Sequence, residues 1–126
     1  MQIEFDLPWP HRGLSPNSRL TFYAKARLFK ETKAVAYQYT RKAMLDADVK
    51  PPRMDKKTGT MNVQLTFWPP VNRYHDEDNM LANCKATLDG IAAALQIDDT
   101  IFHFREQVWH PAEKPGRMRV SLDWEV

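Results

Sequence analysis

The chain has 126 residues, 43% of them apolar and 27% charged, with a formal net charge of +2. That length suits one domain whose core needs no disulfide, and the single Cys84 has no internal partner with which to form one. No apolar run approaches the roughly 20 residues that cross a bilayer, and the opening MQIEFDLPWP carries acids where a signal peptide carries basic and apolar residues. Membrane-spanning, secreted, collagenous and disordered classes are therefore excluded, and a cytoplasmic protein without a membrane partner is expected.

Residues 2–9 alternate loosely and predict a strand closed by Pro8 and Pro10. Pro, Gly, Ser and Asn make 10–19 a loop. Residues 24–48 lack Pro and Gly, and Leu28, Thr32, Val35, Tyr39 and Ala43 recur at helical spacing. This predicts one long helix with Lys25, Arg27, Lys30, Lys33, Arg41 and Lys42 over much of its outer surface. VKPPRMDKKTGT (49–60) predicts an exposed basic loop. In 61–68, Met61, Val63, Leu65 and Phe67 alternate with Asn62, Gln64 and Thr66, the pattern of a half-buried strand that Pro69-Pro70 stops. A second helix is expected over 79–95, capped by Asp78 or Asn79, with Cys84, Leu88, Ile91 and Leu95 as its core stripe. Two more strands, 100–109 and 118–125, are joined by 110–116. The order β-α-β-α-β-β predicts one α/β (α+β) domain over 1–126, a small mixed sheet covered by two helices.

Charge is unevenly distributed. Residues 1–57 hold 12 Lys/Arg against 6 Asp/Glu, and residues 58–126 hold 6 against 10. A basic half suits a polyanion and an acidic half suits a hard cation. The acids concentrate in HDEDN (75–79), in Asp89, and in Asp98-Asp99. Asp78, Lys85 and Asp89 fall on one helical face, at the edge of the core stripe. If the strand after Asp99 pairs beside 61–68, both acidic segments meet at one edge of the sheet. Crowded carboxylates either raise their pKa values or recruit a divalent cation. Mg²⁺ and Mn²⁺ take oxygen ligands and keep waters, and a nearby lysine stabilises charge on phosphorus, a combination suited to phosphodiester hydrolysis. Taken singly, each element has a plain structural use: Asp as a cap or turn residue, Lys85 and Asp89 as an i,i+4 ion pair. The four His are scattered without zinc spacing, and no P-loop, G-x-S-x-G or dinucleotide glycine pattern occurs. The four Trp flank strands as core residues, whereas Tyr23, Tyr37 and Tyr74 are candidates for stacking on bases.

LPWP followed by SPN (Leu7 to Asn17), then DEDN (76–79), KATLDG (85–90) and IDD (97–99), stand in an order that resembles the RusA family of endodeoxyribonucleases. These are Holliday junction resolvases common in prophages and phages, and the resemblance spans nearly the whole chain. It implies a RusA-like fold ending in a hairpin, with Asp76, Asp78 and Asp99 as metal-binding carboxylates, Lys85 as the catalytic lysine, and Asp89 and Asp98 as further participants. It also implies a homodimer that binds four-way or branched DNA in recombination and repair. With Mg²⁺ or Mn²⁺ the dimer makes paired symmetric nicks with 5′-phosphate and 3′-hydroxyl ends. In the best-known bacterial member the lysine follows the second Asp by one helical turn. Here it follows by seven residues, which returns to the same face about 4.5 Å further along the axis. The arginine-rich run before the first Asp of that member is reduced to Arg73-Tyr74-His75, so phosphate contacts are expected from Arg73, from Lys50, Arg53, Lys56 and Lys57, or from Lys30 and Lys33 of the first helix. Two rival readings stand beside this one: a non-catalytic junction- or single-strand-binding module, and a hydrolase of small phosphate esters.

Overall fold

The computed structural model describes residues 1–73 and 76–125. Its elements, in order, are β1 (Gln2–Pro8), a 3-10 turn (Arg12–Leu14), α1 (Phe22–Asp46), β2 (Met61–Trp68), α2 (Glu77–Asn83), α3 (Lys85–Leu95), a second 3-10 turn (Asp99–Ile101), β3 (Phe102–Phe104), β4 (Val108–Trp109) and β5 (Arg117–Asp123). The sheet runs β1-β5-β2, with β3 and then β4 along the far edge of β2. β5 is antiparallel to both β1 and β2, while β3 and β4 run parallel to β2, so the sheet is mixed.

Period-two alternation decides which face is covered. Met61, Val63, Leu65 and Phe67 of β2 join Met118, Val120 and Leu122 of β5 and Ile3 and Leu7 of β1 in one core. The helices supply Ala36 and Met44 from α1, and Leu88, Ile91, Ala92 and Leu95 from α3. The opposite face carries Glu4, Asp6, Trp68, Arg117, Arg119 and Ser121, none of them buried. There Asp6 accepts from Arg119 Nε at 2.6 Å and Arg117 Nη1 at 2.9 Å, and Arg117 lies 3.7 Å over the Trp68 ring. His110 stacks on that ring, with centroids 4.7 Å apart.

The α+β class and the pairing of β3 beside β2 match the sequence reading, but the element order departs from it in four ways. First, the helix expected over 79–95 is two helices, making three α-helices among the described residues. At Cys84 (φ −89°, ψ 2°) the N–H is shared between Met80 O at 3.2 Å and Leu81 O at 3.1 Å, a tightening that interrupts the ladder. The first piece starts earlier than expected because its cap is Asp76, not Asp78 or Asn79. Second, the strand expected over 100–109 is two fragments behind a 3-10 turn, since at 105–107 the Gln64 amide reaches the Glu106 carbonyl at 3.1 Å. Third, the last two strands form no hairpin: β5 inserts between β1 and β2, where its alternating Met118, Val120 and Leu122 are buried.

Fourth, α1 presents a different stripe to the core. Val35 and Tyr39 are 44% and 43% exposed, whereas Ala36, Thr40 and Met44 are buried. The cause is a close helix crossing. A Cβ on Gly90 of α3 would collide with the Lys33 carbonyl oxygen and lie 2.9 Å from Ala36 Cβ, so only small residues fit there. Thr40 is tolerated because its hydroxyl donates to Ala36 O at 2.7 Å. Among the described residues no helix is long and apolar enough to cross a membrane.

Candidate active site

Two capped turns and one helix carry the acidic residues. Asp76 Oδ1 accepts from Asn79 N at 3.0 Å and starts α2, whose first turn holds Glu77 and Asp78, where negative charge complements the helix dipole. The break at Cys84 is mild enough that one face continues across it, from Asp78 through Leu81, Ala82 and Lys85 to Leu88 and Asp89. The far end of α3 closes with Gln96 in the left-handed region (φ 58°) and Ile97 N bonded to Ala92 O at 3.1 Å. This Schellman-type turn sends the chain into Asp98-Asp99. Asp98 Oδ1 then caps the 3-10 turn, accepting from Thr100 N at 2.9 Å and Thr100 Oγ1 at 2.6 Å.

Asp78, Lys85, Asp89 and Asp99 line one cleft of about 350 Å³, together with Leu81, Ala82, Leu88, Phe102 and Phe104. α2, α3 and the 3-10 turn thus each bring a carboxylate to it, and β3 forms the remaining wall. Lys85 Nζ lies 3.8 Å from Asp89 Oδ1 and is two-thirds exposed. Asp76 and Asp98 are not among the lining residues; both carboxylates are engaged as caps. The hydrogen bonds from Thr100, assisted by Lys56, hold the Asp98 carboxyl down to about 2. Lys56 Nζ is 3.4 Å from Asp98 Oδ2, which ties the basic loop to the residue before Asp99.

Asp76, Asp78 and Asp99 do not converge as the expected trio. Among the described residues no three His, Cys, Asp or Glu side chains form a group that could hold a metal ion. The reason is local: the Asp76 carboxylate turns back on the amide of its own helix. The remaining donors, Asp78, Asp89 and Asp99, are all carboxylates. Such oxygen-only sets suit Mg²⁺, which is commonly bound by one or two carboxylates with water and substrate phosphate completing its shell. By donor chemistry these residues suit a hard divalent cation, although no group of three is assembled to hold one.

No protein-family model matches the chain. Over 116 residues, 92% of this chain and 72% of the other, it is 36% identical to an uncharacterized protein of Xylella fastidiosa. The two proteins belong to one family. Because the match leaves out only ten of the 126 residues, the cleft-forming stretch from Asp78 to Phe104 falls inside it.

Of the residues expected to contact DNA, Lys30 and Lys33 are exposed on α1, Arg53, Lys56 and Lys57 are exposed in the 47–60 loop, and Arg73 is exposed before α2. Tyr74 and His75 lie outside the described residues. Tyr23 is 80% exposed, but it packs edge-on against Phe22 and does not line the cleft. The apolar wall of the cleft, Phe104 above all, was not legible from the sequence pattern: an alternating strand marks Phe102 and Phe104 for one face without saying that the sheet edge leaves the second open. Cys84 is buried, which pushes its thiol up to about 12 and makes it a core residue beside the site.

Proposed function

We propose that this chain is a divalent-cation-dependent endodeoxyribonuclease of RusA-like fold that resolves four-way and other branched DNA as a homodimer. What carries this reading is the sharing of one cleft by Asp78, Asp89, Asp99 and Lys85, brought from three separate segments. Asp78 and Asp99 hold the cation from opposite ends of the chain's acidic region. Mg²⁺ or Mn²⁺, when bound, polarises the phosphodiester and makes an attacking water more acidic. Asp89 steadies the Lys85 ammonium at the cleft, where it balances negative charge developing on the scissile phosphate. Asp76 and Asp98 set the entry of α2 and of the turn, and so orient Asp78 and Asp99. The exposed basic loop, linked to the site through Lys56 and Asp98, engages flanking phosphates. A two-fold dimer then offers two identical sites to two strands of a junction, leaving 5′-phosphate and 3′-hydroxyl ends.

The test is incubation with a labelled four-way junction and a matched linear duplex, with and without Mg²⁺ or Mn²⁺, followed by mapping of cuts. Asp78→Asn and Asp99→Asn are expected to abolish cutting while keeping or strengthening the junction gel shift, since each removes negative charge near DNA. Full cleavage by both variants refutes the assignment. The employment of Asp76 and Asp98 as caps favours a second reading, a junction-binding module with structural acids, which predicts a salt-sensitive shift and no cuts at any Mg²⁺ or Mn²⁺ concentration.

A further inference from the structure

The cleft contains a surface that phosphate hydrolysis does not use. Five of its lining side chains are apolar, and their exposures differ. Leu88 and Phe102 form a buried floor at 7% and 8%, whereas Phe104 is 43% exposed. Phe104 is nonetheless well placed: its backbone is in register with Val63 of β2, and Phe102 supports its ring edge-on with centroids 6.2 Å apart at 72°. What sets this ring apart from the more exposed Phe22 and Tyr23 is its place in the same cleft as Asp78, Asp89 and Asp99. A phosphodiester and a hydrated cation, both strongly polar, give a phenyl face nothing to bind. A nucleobase, one sugar away from the phosphate being cut, offers a flat apolar face of the right kind.

We infer that Phe104 is a stacking platform for one unpaired nucleobase adjacent to the scissile phosphate. The inference rests on the nuclease reading and deepens it by naming the feature of DNA that the cleft selects. In continuous duplex each base is already stacked on both sides, so entering the cleft requires unstacking. At a branch point that requirement is partly met in advance. Phosphates are equally available in linear and branched DNA, so the basic loop supplies affinity, and the aromatic wall supplies the preference for branched substrate.

A four-way junction carrying 2-aminopurine at successive crossover positions tests this, with EDTA present to separate binding from cutting. Wild type is expected to change the probe's fluorescence at one position. Phe104→Ala and Phe104→Leu lose that change and weaken junction binding by about tenfold, the scale of one base–aromatic stack, while Phe104→Trp restores both. With Mg²⁺ the same two variants lose their preference for junction over linear duplex. Far-UV circular dichroism checks that each variant folds; Leu keeps the apolar volume if Ala does not. If both variants keep the wild-type signal and preference while Asp99→Asn abolishes cutting, the nuclease stands and the platform is wrong. If the Asp variants cut normally but the signal still depends on Phe104, the catalytic assignment fails and the platform survives. Absence of any DNA binding overturns both.

Discussion

Two charged regions of this molecule treat their acids differently. On the open face of the sheet, Asp6 is clamped between Arg117 and Arg119, Glu4 lies 3.8 Å from Arg119 and accepts from Ser121, and Glu113 approaches Arg117 at 3.6 Å. Hydrogen bonding from Arg119 holds the Asp6 carboxyl below the usual carboxylate range, and Asp6 in turn pushes the Arg119 guanidinium up. In the cleft, Asp78 and Asp99 have no cationic partner among the described residues, and Asp89 has only a loose contact with Lys85. Acids neutralised within the sheet serve the fold. Acids that line a cleft without a cationic partner remain open to a ligand, and that difference separates structural charge from charge available for binding.

The strongest challenge to this contrast is Asp99→Asn. It is expected to reduce Mg²⁺-dependent junction cleavage at least about hundredfold, as loss of a metal-binding group does, while leaving thermal stability unchanged or slightly higher. On the proposed role of Asp99 as a cation ligand, millimolar Mg²⁺ should raise the melting temperature of wild type and not of this variant. An intermediate effect is expected from Asp6→Ala on the open face. Removing a doubly paired but part-exposed carboxylate should lower stability by about 0.5–1 kcal/mol in urea melts, with cleavage unaffected; a loss of cleavage there would erase the distinction between the two regions.

The smallest effect concerns Asp98, which belongs to neither extreme, being held by Thr100 and Lys56. Its carboxyl is depressed from 3.8 to about 2 in the folded chain, so its stabilisation is present above pH 4 and is lost as the pH falls towards 2. The stability gap between wild type and Asp98→Asn should therefore be constant at neutral pH and close between pH 4 and 2 in acid-unfolding curves.

Much of the site was legible one residue at a time. Asp78, Lys85 and Asp89 were read onto one helical face by spacing, and they share that face even across the break at Cys84. Asp99 was placed near them on condition that β3 pair beside β2, and it does, in parallel. What escaped was competition for the same group. Asp76 was expected as a ligand because the RusA resemblance implies it, but the amide of Asn79, the third residue of the new helix, donates to its carboxylate. The stripe of α1 was drawn through the larger side chains Val35 and Tyr39, when Gly90 across the crossing admits only Ala36. Nothing in Phe104 itself told a core position from a cleft wall.

The sequence by itself determined the α+β class, the alternation of β2 and β5 and the helical face bearing Asp78, Lys85 and Asp89, because these follow from backbone periodicity acting over a few residues. Tertiary structure alone decided that β5 enters the middle of the sheet, that α1 meets α3 through Ala36 and Gly90, and that Phe104 stands uncovered beside the carboxylates. Those outcomes depend on which surfaces remain unpaired once distant segments have packed, a quantity no local pattern contains.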